Sequence, residues 1–486
     1  MLKLGTQIVL LAGITLACSP PHKSTKALGM RQNTPTEKPD EKDPDSDRDI
    51  VKDKPDEFQS AISSFVMKTP SALSASESDL AALGQKLFFD PSFSADGKIS
   101  CATCHEPQKF FTDQRDVAVG METGTRNTPT IVNSRFWTNF FWDGRASSIN
   151  LQAIGPVENI LEHGITRGRV AQVLYQRYKD EYEQRFGSFP SEVVNLVNTA
   201  SEFEAAPKRP EFFLTDELAN FVNDTVTDSD IESEINSYRD HGYSLRQSVT
   251  FVTSFYDSKH RDETDANRVY AGLNYKQKDG IDEVFLNFGK SVAAFEKTLV
   301  AVDSPFDRFA NNLIEIGGNP ALSFNEGFGS PEYEGYQLFT GKAGCSQCHN
   351  GPLFSDEQFH NIGLGSLSDK VDLGRAVGVL EGFFCVFESL QFKEECGLHL
   401  SGATTPYNSG AFRTASLRNL AYTAPYMHDG RYEDISEVLE HYNWLSNDPY
   451  VGRRSKHLWP IHLEDDELGN LEAFLMSLSS PVAPIQ

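Results

Sequence analysis

The sequence lacks long hydrophobic runs and lacks an excess of basic residues. After the first residues no stretch of about 18 apolar residues occurs, which excludes a polytopic membrane protein. Acidic residues outnumber basic ones by 69 to 44, and the formal net charge is −25. Such a charge repels nucleic acid, so we expect no nucleic-acid partner. It favours partners with a basic face, although acidity also serves simply to keep an exported protein soluble.

The alternation of apolar and polar residues that marks β-strands is scarce as well. Apolar residues recur instead at helical spacing, which predicts helices over Asp79–Phe89, Tyr333–Phe339, Asp434–Trp444 and Asp465–Leu478. We therefore predict a mainly α fold. A length of 486 residues predicts two domains with extra segments. The acidic segment at about 188–281 shows no metal or nucleophile signature, and we interpret it as an accessory insertion.

The chain begins in the manner of an exported protein. Met1–Lys3 followed by Ile8–Ile14 has the basic-then-apolar layout of a secretory signal, which we predict to span residues 1–17. The residues before Cys18 resemble a lipoprotein cleavage box, although Thr15 stands where leucine is usual. We expect a periplasmic protein anchored by lipid on Cys18, with ordinary cleavage after Ala17 as the alternative. Residues 18–58 are rich in proline and charge, which predicts a flexible tether.

Two short motifs carry the clearest chemistry. Cys101–His105 and Cys345–His349 both match the Cys-x-x-Cys-His pattern of c-type haem attachment. The spacing puts both thiols on one side of a helical turn, where they can bond the haem vinyl groups while the histidine reaches the iron. We predict two covalent c-type haems held by the thiols of Cys101, Cys104, Cys345 and Cys348, with His105 and His349 as iron ligands.

Two alternatives explain paired cysteines differently. Zinc is one, but the motifs lie 244 residues apart (345 minus 101), far beyond the spacing of a zinc module. Disulfides within each pair are the other. Of the remaining cysteines, Cys385 and Cys396 are eleven residues apart, and a local disulfide is the default in an exported protein. A reactive thiol pair is the alternative there.

Further motifs resemble those of the bacterial di-haem cytochrome c peroxidases and their MauG relatives, over about 80–187 and 282–478. The matching motifs are Leu87–Pro91, Arg126–Thr130, Phe141–Arg145, Gly155–Asn159, Ser304–Arg308, Phe359–Gly363, Arg413–Asn419 and Pro425–Gly430. The resemblance implies two cytochrome c-like domains, each with a covalent haem. We assign them to residues 59–300, which include the insertion, and to residues 301–486.

The resemblance also implies a division of labour. The N-terminal haem binds peroxide, and the C-terminal haem accepts electrons from a donor. By its motif position Glu162, twenty residues after Trp142 (162 minus 142), is the acid–base group that moves a proton during O–O cleavage. Trp142 corresponds to the family's tryptophan between the haems. Without the resemblance, Glu162 would be taken for a solvated surface charge and Trp142 for a core residue.

A calcium site between the domains follows from the same resemblance. Asn127 and the backbone carbonyls of Thr423 and Pro425 match the family's oxygen ligands, and oxygen donors suit a hard cation. The alternative for Asn127 is a capping role.

Two departures from other family members point towards MauG. Fourteen residues past His428 (442 minus 428), Tyr442 stands where peroxidases have a distal methionine ligand, with Met427 and His441 as nearby substitutes. A phenolate ligand stabilises ferric iron, so this haem should be harder to reduce. The loop Val119–Gly124 lacks the histidine that blocks the peroxide haem elsewhere. We expect an N-terminal haem that is open without activation, unless Met121 binds it.

These features predict a peroxidase that reduces hydrogen peroxide to water with electrons from a small periplasmic cytochrome c or cupredoxin. The alternative is a MauG-like enzyme that uses high-valent iron to oxidise a protein or organic substrate. A third hypothesis is a pure electron carrier, against which Glu162 and an open haem both argue. The sequence leaves a homodimer open.

Overall fold

A computed structural model describes residues 60–159, 161–199, 273–317, 319–365, 372, 374–375, 410–447, 449 and 452–483. All of them belong to one compact unit, Asp53–Gln486. The predicted signal peptide, tether and lipid anchor at Cys18 lie outside the described residues. So do Cys385, Cys396 and residues 200–272 of the predicted insertion.

Helices dominate the described residues, which confirms the mainly α prediction. In chain order they are α1 Ala75–Phe89, α2 Cys101–Cys104, α3 Ile149–Glu158, α4 Arg167–Phe186, α5 Ser191–Thr199, α6 Tyr275–Glu296, α7 Pro305–Ile316, α8 Ser330–Thr340, α9 Ile435–Trp444 and α10 Asp465–Met476. A two-residue antiparallel ladder joins β1 Phe359–His360 to β2 Phe412–Arg413. None of the described helices is long and apolar enough to cross a membrane.

The four predicted helices form as α1, α8, α9 and α10, with small shifts at their ends. Helix α1 begins earlier than predicted because Ser74 caps it: its hydroxyl accepts from the amide of Glu77 at 3.3 Å, and the Glu77 carboxylate accepts from the amide of Ser74 at 2.8 Å. This reciprocal arrangement satisfies two amides that the first helical turn leaves without partners.

Helices α1 and α3–α6 share one hydrophobic cluster, which we call the first lobe. The crossing of α1 and α6 holds this lobe together. A side chain at Gly84 would place its Cβ 1.7 Å from the carbonyl oxygen of Ser291, so the two helix backbones are in direct contact. Aromatic rings fill the space beside the crossing, with Phe88 packed on Phe295 and Phe93 packed on Phe288. All four rings are buried.

The second lobe repeats this arrangement with α8 and α10. A Cβ at Gly335 would lie 2.0 Å from the carbonyl oxygen of Asn470. Phe339 and Phe354 both pack against Phe474 of α10. In each lobe a helix that leads into a Cys-x-x-Cys-His motif therefore crosses a later helix at a glycine, so one structural plan occurs twice in the chain.

The described ends of the predicted insertion belong to the first lobe. Phe189, Val193 and Val197 are buried in the same hydrophobic cluster as Ile281 of α6. Burial of this apolar surface ties α5 to the lobe. In the sequence, residues 200–272 of the predicted insertion lie between these two ends.

The close approach at Gly84 predicts a stability effect that a simple helix-propensity argument would miss. We expect Gly84→Ala to destabilise the protein by about 3 kcal/mol, because the methyl group forces two packed helices apart. Thermal and urea unfolding followed by circular dichroism measure this.

Gly469→Ala is the matched control, since a Cβ added to Gly469 in α10 would meet nothing within 4 Å. There alanine should stabilise the helix by up to about 1 kcal/mol. A Gly84→Ala variant as stable as the control variant would contradict the crossing.

Candidate functional site

The first Cys-x-x-Cys-His motif forms one helical turn that orients its histidine. The amide of His105 donates to the carbonyl of Cys101 at 2.9 Å. The ring Nδ1 lies 3.0 Å from the carbonyl oxygen of Phe111, and since a carbonyl only accepts, Nδ1 carries the proton. Burial lowers the pKa of His105, so the ring is neutral. Its Nε2 is left with a free lone pair, the form in which histidine binds a metal.

The second motif repeats this geometry. The amide of His349 donates to the carbonyl of Cys345 at 2.9 Å, and its Nδ1 donates to the carbonyl of Phe354 at 2.9 Å. Burial lowers the pKa of His349 as well. Phe354 has a left-handed backbone (φ 51°), as Phe111 has (φ 57°), so the acceptor carbonyl is presented by the same turn in both lobes.

The cysteines of both motifs lie in apolar surroundings. Burial raises the pKa of Cys104 and of Cys345 to about 12 and raises that of Cys101 further. The apolar surroundings of these thiols suit a largely apolar cofactor that is attached covalently. Among the described residues, one group of potential metal ligands within 4.8 Å of one another joins Cys348, Asp356 and His360. It uses a single thiol, unlike a paired-cysteine zinc module.

A cavity of about 280 Å³ lies beside the second motif. Cys345, Cys348 and His349 line it, together with many apolar side chains. A covalently attached, largely apolar cofactor fits such a lining, because both thiols and the histidine of the motif face the same space as these apolar side chains. Attachment of a c-type haem requires this arrangement.

The residues predicted near the second haem do not all face this cavity. Tyr442 and Met427 line it, whereas His441 turns away and places its Nε2 3.1 Å from the carbonyl oxygen of Ile362. Burial raises the pKa of the Tyr442 phenol, and the neighbouring Cys345 and Cys348 act in the same direction. Tyr442 therefore holds its proton in the absence of a metal. Its role as an iron ligand stays a prediction.

Trp142, which follows the first motif in the sequence, lines the same cavity. Its indole nitrogen donates to the carbonyl of Asn127 at 2.9 Å, and its own carbonyl accepts from the amide of Arg413 at 2.7 Å. The ring is thus fixed by groups from both halves of the chain.

The three predicted calcium ligands also lie at this cavity, which Asn127, Thr423 and Pro425 all line. The side-chain nitrogen of Asn127 donates to the carbonyl of Arg115 at 2.8 Å, and its amide donates to the carbonyl of His428 at 2.8 Å. Asn127 thus connects the two sequence regions from which the predicted ligands come. Calcium itself stays a prediction.

Glu162 lies close to the first motif. Its Oε1 accepts from the side-chain nitrogen of Asn159 at 2.6 Å. Burial raises the pKa of Glu162, and the charge of Arg145 opposes this rise. The charge of Glu162 in turn contributes to the raised pKa of Cys104. A carboxyl group that can hold and release a proton therefore lies beside the first haem-attachment turn.

The loop Val119–Gly124 presses directly on the Glu162 segment. The amide of Met121 donates to the carbonyl of Glu162 at 3.0 Å, and the amide of Glu122 donates to that of Leu161 at 3.0 Å. A Cβ at Gly120 would lie 2.7 Å from the Cα of Glu162. In place of a histidine that blocks the haem, this loop offers backbone contacts that fix the position of Glu162.

Sequence reasoning missed two groups at this site. Asp143 is buried and binds Arg145 at 3.1 Å, so it holds the cation that acts on Glu162. Glu296 of α6 is 3% exposed, and its Oε2 has no hydrogen-bond partner among the described residues. Its charge acts on Cys101. The helical spacing of the apolar residues around Glu296 was the signal that could have shown its burial.

Comparisons with known proteins agree with this geometry. The family model for the di-haem cytochrome c peroxidase matches residues 78–212. The chain is 28% identical over 410 residues to cytochrome-c peroxidase IdrP2 of Denitromonas iodatirespirans, which covers 83% of each chain. It is 28% identical over 408 residues to the methylamine utilization protein MauG of Methylorubrum extorquens, covering 83% of this chain and 79% of MauG.

Among solved structures, a variant of the diheme peroxidase BthA from Burkholderia thailandensis shares the fold, with a TM-score of 0.51 at 16% identity over 85% of this chain and 90% of that one. The predicted resemblance to the bacterial di-haem cytochrome c peroxidases and MauG is therefore confirmed. This resemblance implies two c-type haems. The predicted class, an oxidoreductase of the cytochrome c peroxidase type, is confirmed.

The unpartnered carboxyl of Glu296 predicts a pH-dependent stability. Burial raises its pKa from 4.5 to about 8 in the folded chain. Between these values the unfolded chain releases the proton and the folded chain keeps it, so stability falls as pH rises, by about 1.4 kcal/mol per unit. We expect Glu296→Gln to remove this slope and to exceed the wild type by about 3 kcal/mol near pH 7.

Urea unfolding at several pH values measures the effect. Glu283→Gln on the same helix is the control, because Glu283 is exposed and its replacement should leave the slope unchanged. If the free energy of unfolding depends on pH equally in wild type and Glu296→Gln, Glu296 is ionised in the folded protein.

Proposed function

We propose that this protein reduces hydrogen peroxide to water at a haem on Cys101, Cys104 and His105. Two electrons and two protons convert one peroxide into two waters, and the electrons come from a small periplasmic cytochrome or cupredoxin. The observation that carries the proposal is the half-buried Glu162 with its raised pKa beside Cys104. When bound, the haem iron supplies the redox chemistry of O–O cleavage.

The proximal histidines orient and tune the two haems. In each motif a backbone carbonyl accepts the Nδ1 proton, at 3.0 Å for His105 and 2.9 Å for His349. This hydrogen bond fixes the ring and makes Nε2 a better donor to the metal. Because this hydrogen bond is the same in both lobes, we assign the difference between the two sites to other groups, Glu162 near the first motif and Tyr442 near the second.

Near the first haem-attachment turn, Glu162 would move the proton that peroxide cleavage requires. Cleavage requires that a proton leave the nearer peroxide oxygen and reach the departing one, and a carboxyl with a pKa raised towards neutrality does both efficiently. Asn159 holds Oε1, and Arg145 stabilises the carboxylate after it has lost its proton. The 119–124 loop keeps the segment in place.

At the second haem, Trp142 and Tyr442 have the remaining roles. Trp142 lines the cavity and follows the first motif in the sequence, which supports a role as an electron relay between the two sites. Tyr442, at the same cavity, is the proposed distal ligand. Calcium held by Asn127, Thr423 and Pro425 would join the two lobes.

A MauG-like oxidation of a protein or organic substrate is the second candidate function. Tyr442 in the cavity favours it, because a phenolate ligand makes the second haem harder to reduce by an ordinary donor. The 119–124 loop also favours it, because Met121 and Glu122 bond backbone carbonyls in a loop that has no histidine. Periplasmic location, a lipid anchor at Cys18 and a homodimer remain part of the proposal.

The role of Glu162 predicts a large kinetic effect without a change in haem attachment. We expect Glu162→Gln to lower peroxide turnover by about 10²- to 10⁴-fold, because the amide cannot accept and return the proton. Stopped-flow mixing with peroxide, with reduced cytochrome c as donor, measures this, and the visible spectra of both haems should be unchanged.

Glu122→Gln is the matched control, since Glu122 is exposed and contacts the same segment only through its backbone. It should turn over at the wild-type rate. A Glu162→Gln variant with undiminished turnover would remove the assignment. Rapid oxidation of the cytochrome by the wild type supports the peroxidase. A long-lived spectral species formed with peroxide, together with slow oxidation of the cytochrome, supports the MauG-like function.

The ligand role of Tyr442 predicts a change in reduction potential. We expect Tyr442→Met to raise the potential of the second haem, because a thioether favours the ferrous state more than a phenolate does. Spectroelectrochemical titration measures both haems separately, and the first should be unaffected. A potential that does not move would show that another group, such as Met427, is the ligand.

A further inference from the structure

An exposed tryptophan lies at the outer rim of the second haem cavity. Trp459 lines the cavity and is 39% exposed. Its ring rests on the backbone just before the second motif: a Cβ at Gly344 would lie 2.9 Å from Cζ2 of this ring. Gly344 also has φ +66°, so both its backbone conformation and its contact with Trp459 favour glycine at this position. One aromatic ring therefore connects the haem-attachment turn to solvent.

The segment that carries Trp459 is anchored firmly to the lobe. The amide of Ser455 donates to the carbonyl of Asn361 at 2.9 Å, and the Ser455 hydroxyl lies 3.3 Å from Nδ1 of His360 in β1. Arg454 donates to the carbonyls of Leu445, at 3.1 Å, and Asn447. Trp459 is thus held in place rather than displayed on a loose loop.

The charge around this ring is opposite to that of the whole protein. Arg453, Lys456 and His457 are exposed, and the sequence from 449 to 463 contains no acidic residue. The chain as a whole carries −25. In the sequence this segment is bounded by Asp448 and by the acidic start of helix α10, where Glu464, Asp465 and Asp466 are exposed and Glu467 is paired with Lys342 at 2.6 Å.

We propose that Trp459 and the basic residues Arg453, Lys456 and His457 form the docking surface for the electron donor, which carries an acidic rim around its redox centre. The inference rests on the proposed function and specifies its partner. The net charge of the chain predicts a basic donor, but the charge that a docked partner meets is the local one.

General properties of interfaces favour this arrangement. Tryptophan and arginine are enriched in the centres of protein interfaces, and exposed charges at the rim accelerate encounter between complementary partners. Electron-transfer complexes bury little surface. A docking surface made of one aromatic ring and three basic neighbours is therefore compatible with such a complex. Electrons delivered at Trp459 arrive at the cavity that Trp142 also lines.

One cytochrome used in two charge forms tests the proposal. The donors are a reduced lysine-rich cytochrome c and the same cytochrome after succinylation, which inverts the charge of its lysines. At low ionic strength we expect the holoenzyme to oxidise the succinylated form with the higher kcat/KM. Lys456→Glu and Arg453→Glu should each lower that kcat/KM by about 3- to 10-fold, and the effect should vanish near 1 M salt, where charges are screened beyond about 3 Å.

Lys276→Glu is the control, an equal charge change at an exposed lysine of the first lobe, and it should leave kcat/KM unchanged. Faster oxidation of the unmodified cytochrome, or equal effects of the Lys456→Glu and Lys276→Glu variants, would overturn the proposal. Salt-sensitive self-association in ultracentrifugation that Lys456→Glu abolishes would assign the surface to a second copy of the chain and likewise overturn it.

Two further measurements separate this proposal from the proposed function. Calorimetry with the oxidised succinylated cytochrome reports docking without turnover, and Lys456→Glu should weaken this binding. Peroxide turnover with a small reductant such as ascorbate should be equal in wild type and Lys456→Glu. Binding without any peroxide turnover would refute the peroxidase but leave the docking surface intact.

Discussion

The buried carboxylate of Asp143 is the contact on which the relation between the two sites depends. It is 1% exposed and binds Arg126 at 2.6 Å and Arg145 at 3.1 Å. Although burial opposes ionisation, Arg145 and Arg126 hold the pKa of Asp143 below its usual range. A buried carboxylate with two cations is costly to disrupt, by about 3–5 kcal/mol when one partner is removed.

From Asp143 charged contacts run in two directions. Arg145 acts on Glu162 beside the first motif, and Arg126 binds Asp372 at 2.7 Å. Asp372 and Arg126 both act on His428, which lines the second cavity and whose pKa burial lowers to about 4. Glu162, the proposed proton-moving group near the first motif, is therefore connected to the lining of the second cavity through charged groups.

Much of this could be predicted from the sequence, and the reason is locality. Each Cys-x-x-Cys-His motif specifies its own turn, and α1, α8, α9 and α10 have apolar residues at helical spacing. Glu162 and Trp142 were predicted from their motif positions, and their roles stay predictions. By contrast, the contacts of Asp143 with Arg126 and of Arg126 with Asp372 join residues up to 246 positions apart, which no local pattern reveals. That His441 points away from the cavity could be seen only from the hydrogen bond between its ring and the carbonyl of Ile362.

Two tryptophans line the second cavity, Trp142 and the exposed Trp459. In the proposed function Trp459 would receive electrons from the donor and Trp142 would pass them towards the first site. Near the first motif, Glu162 accepts a hydrogen bond from Asn159, and the 119–124 loop is bonded to its segment. In the proposed function the first site moves protons and the second passes electrons.

The central claim is that one chain holds two haems with the same proximal geometry and different distal groups. Electron paramagnetic resonance of the fully oxidised protein, with spin quantitation, tests it most directly. The account predicts two distinct ferric signals in equal amounts, one from an open site and one from a six-coordinate site. Two identical signals, or a single haem per chain, would contradict it.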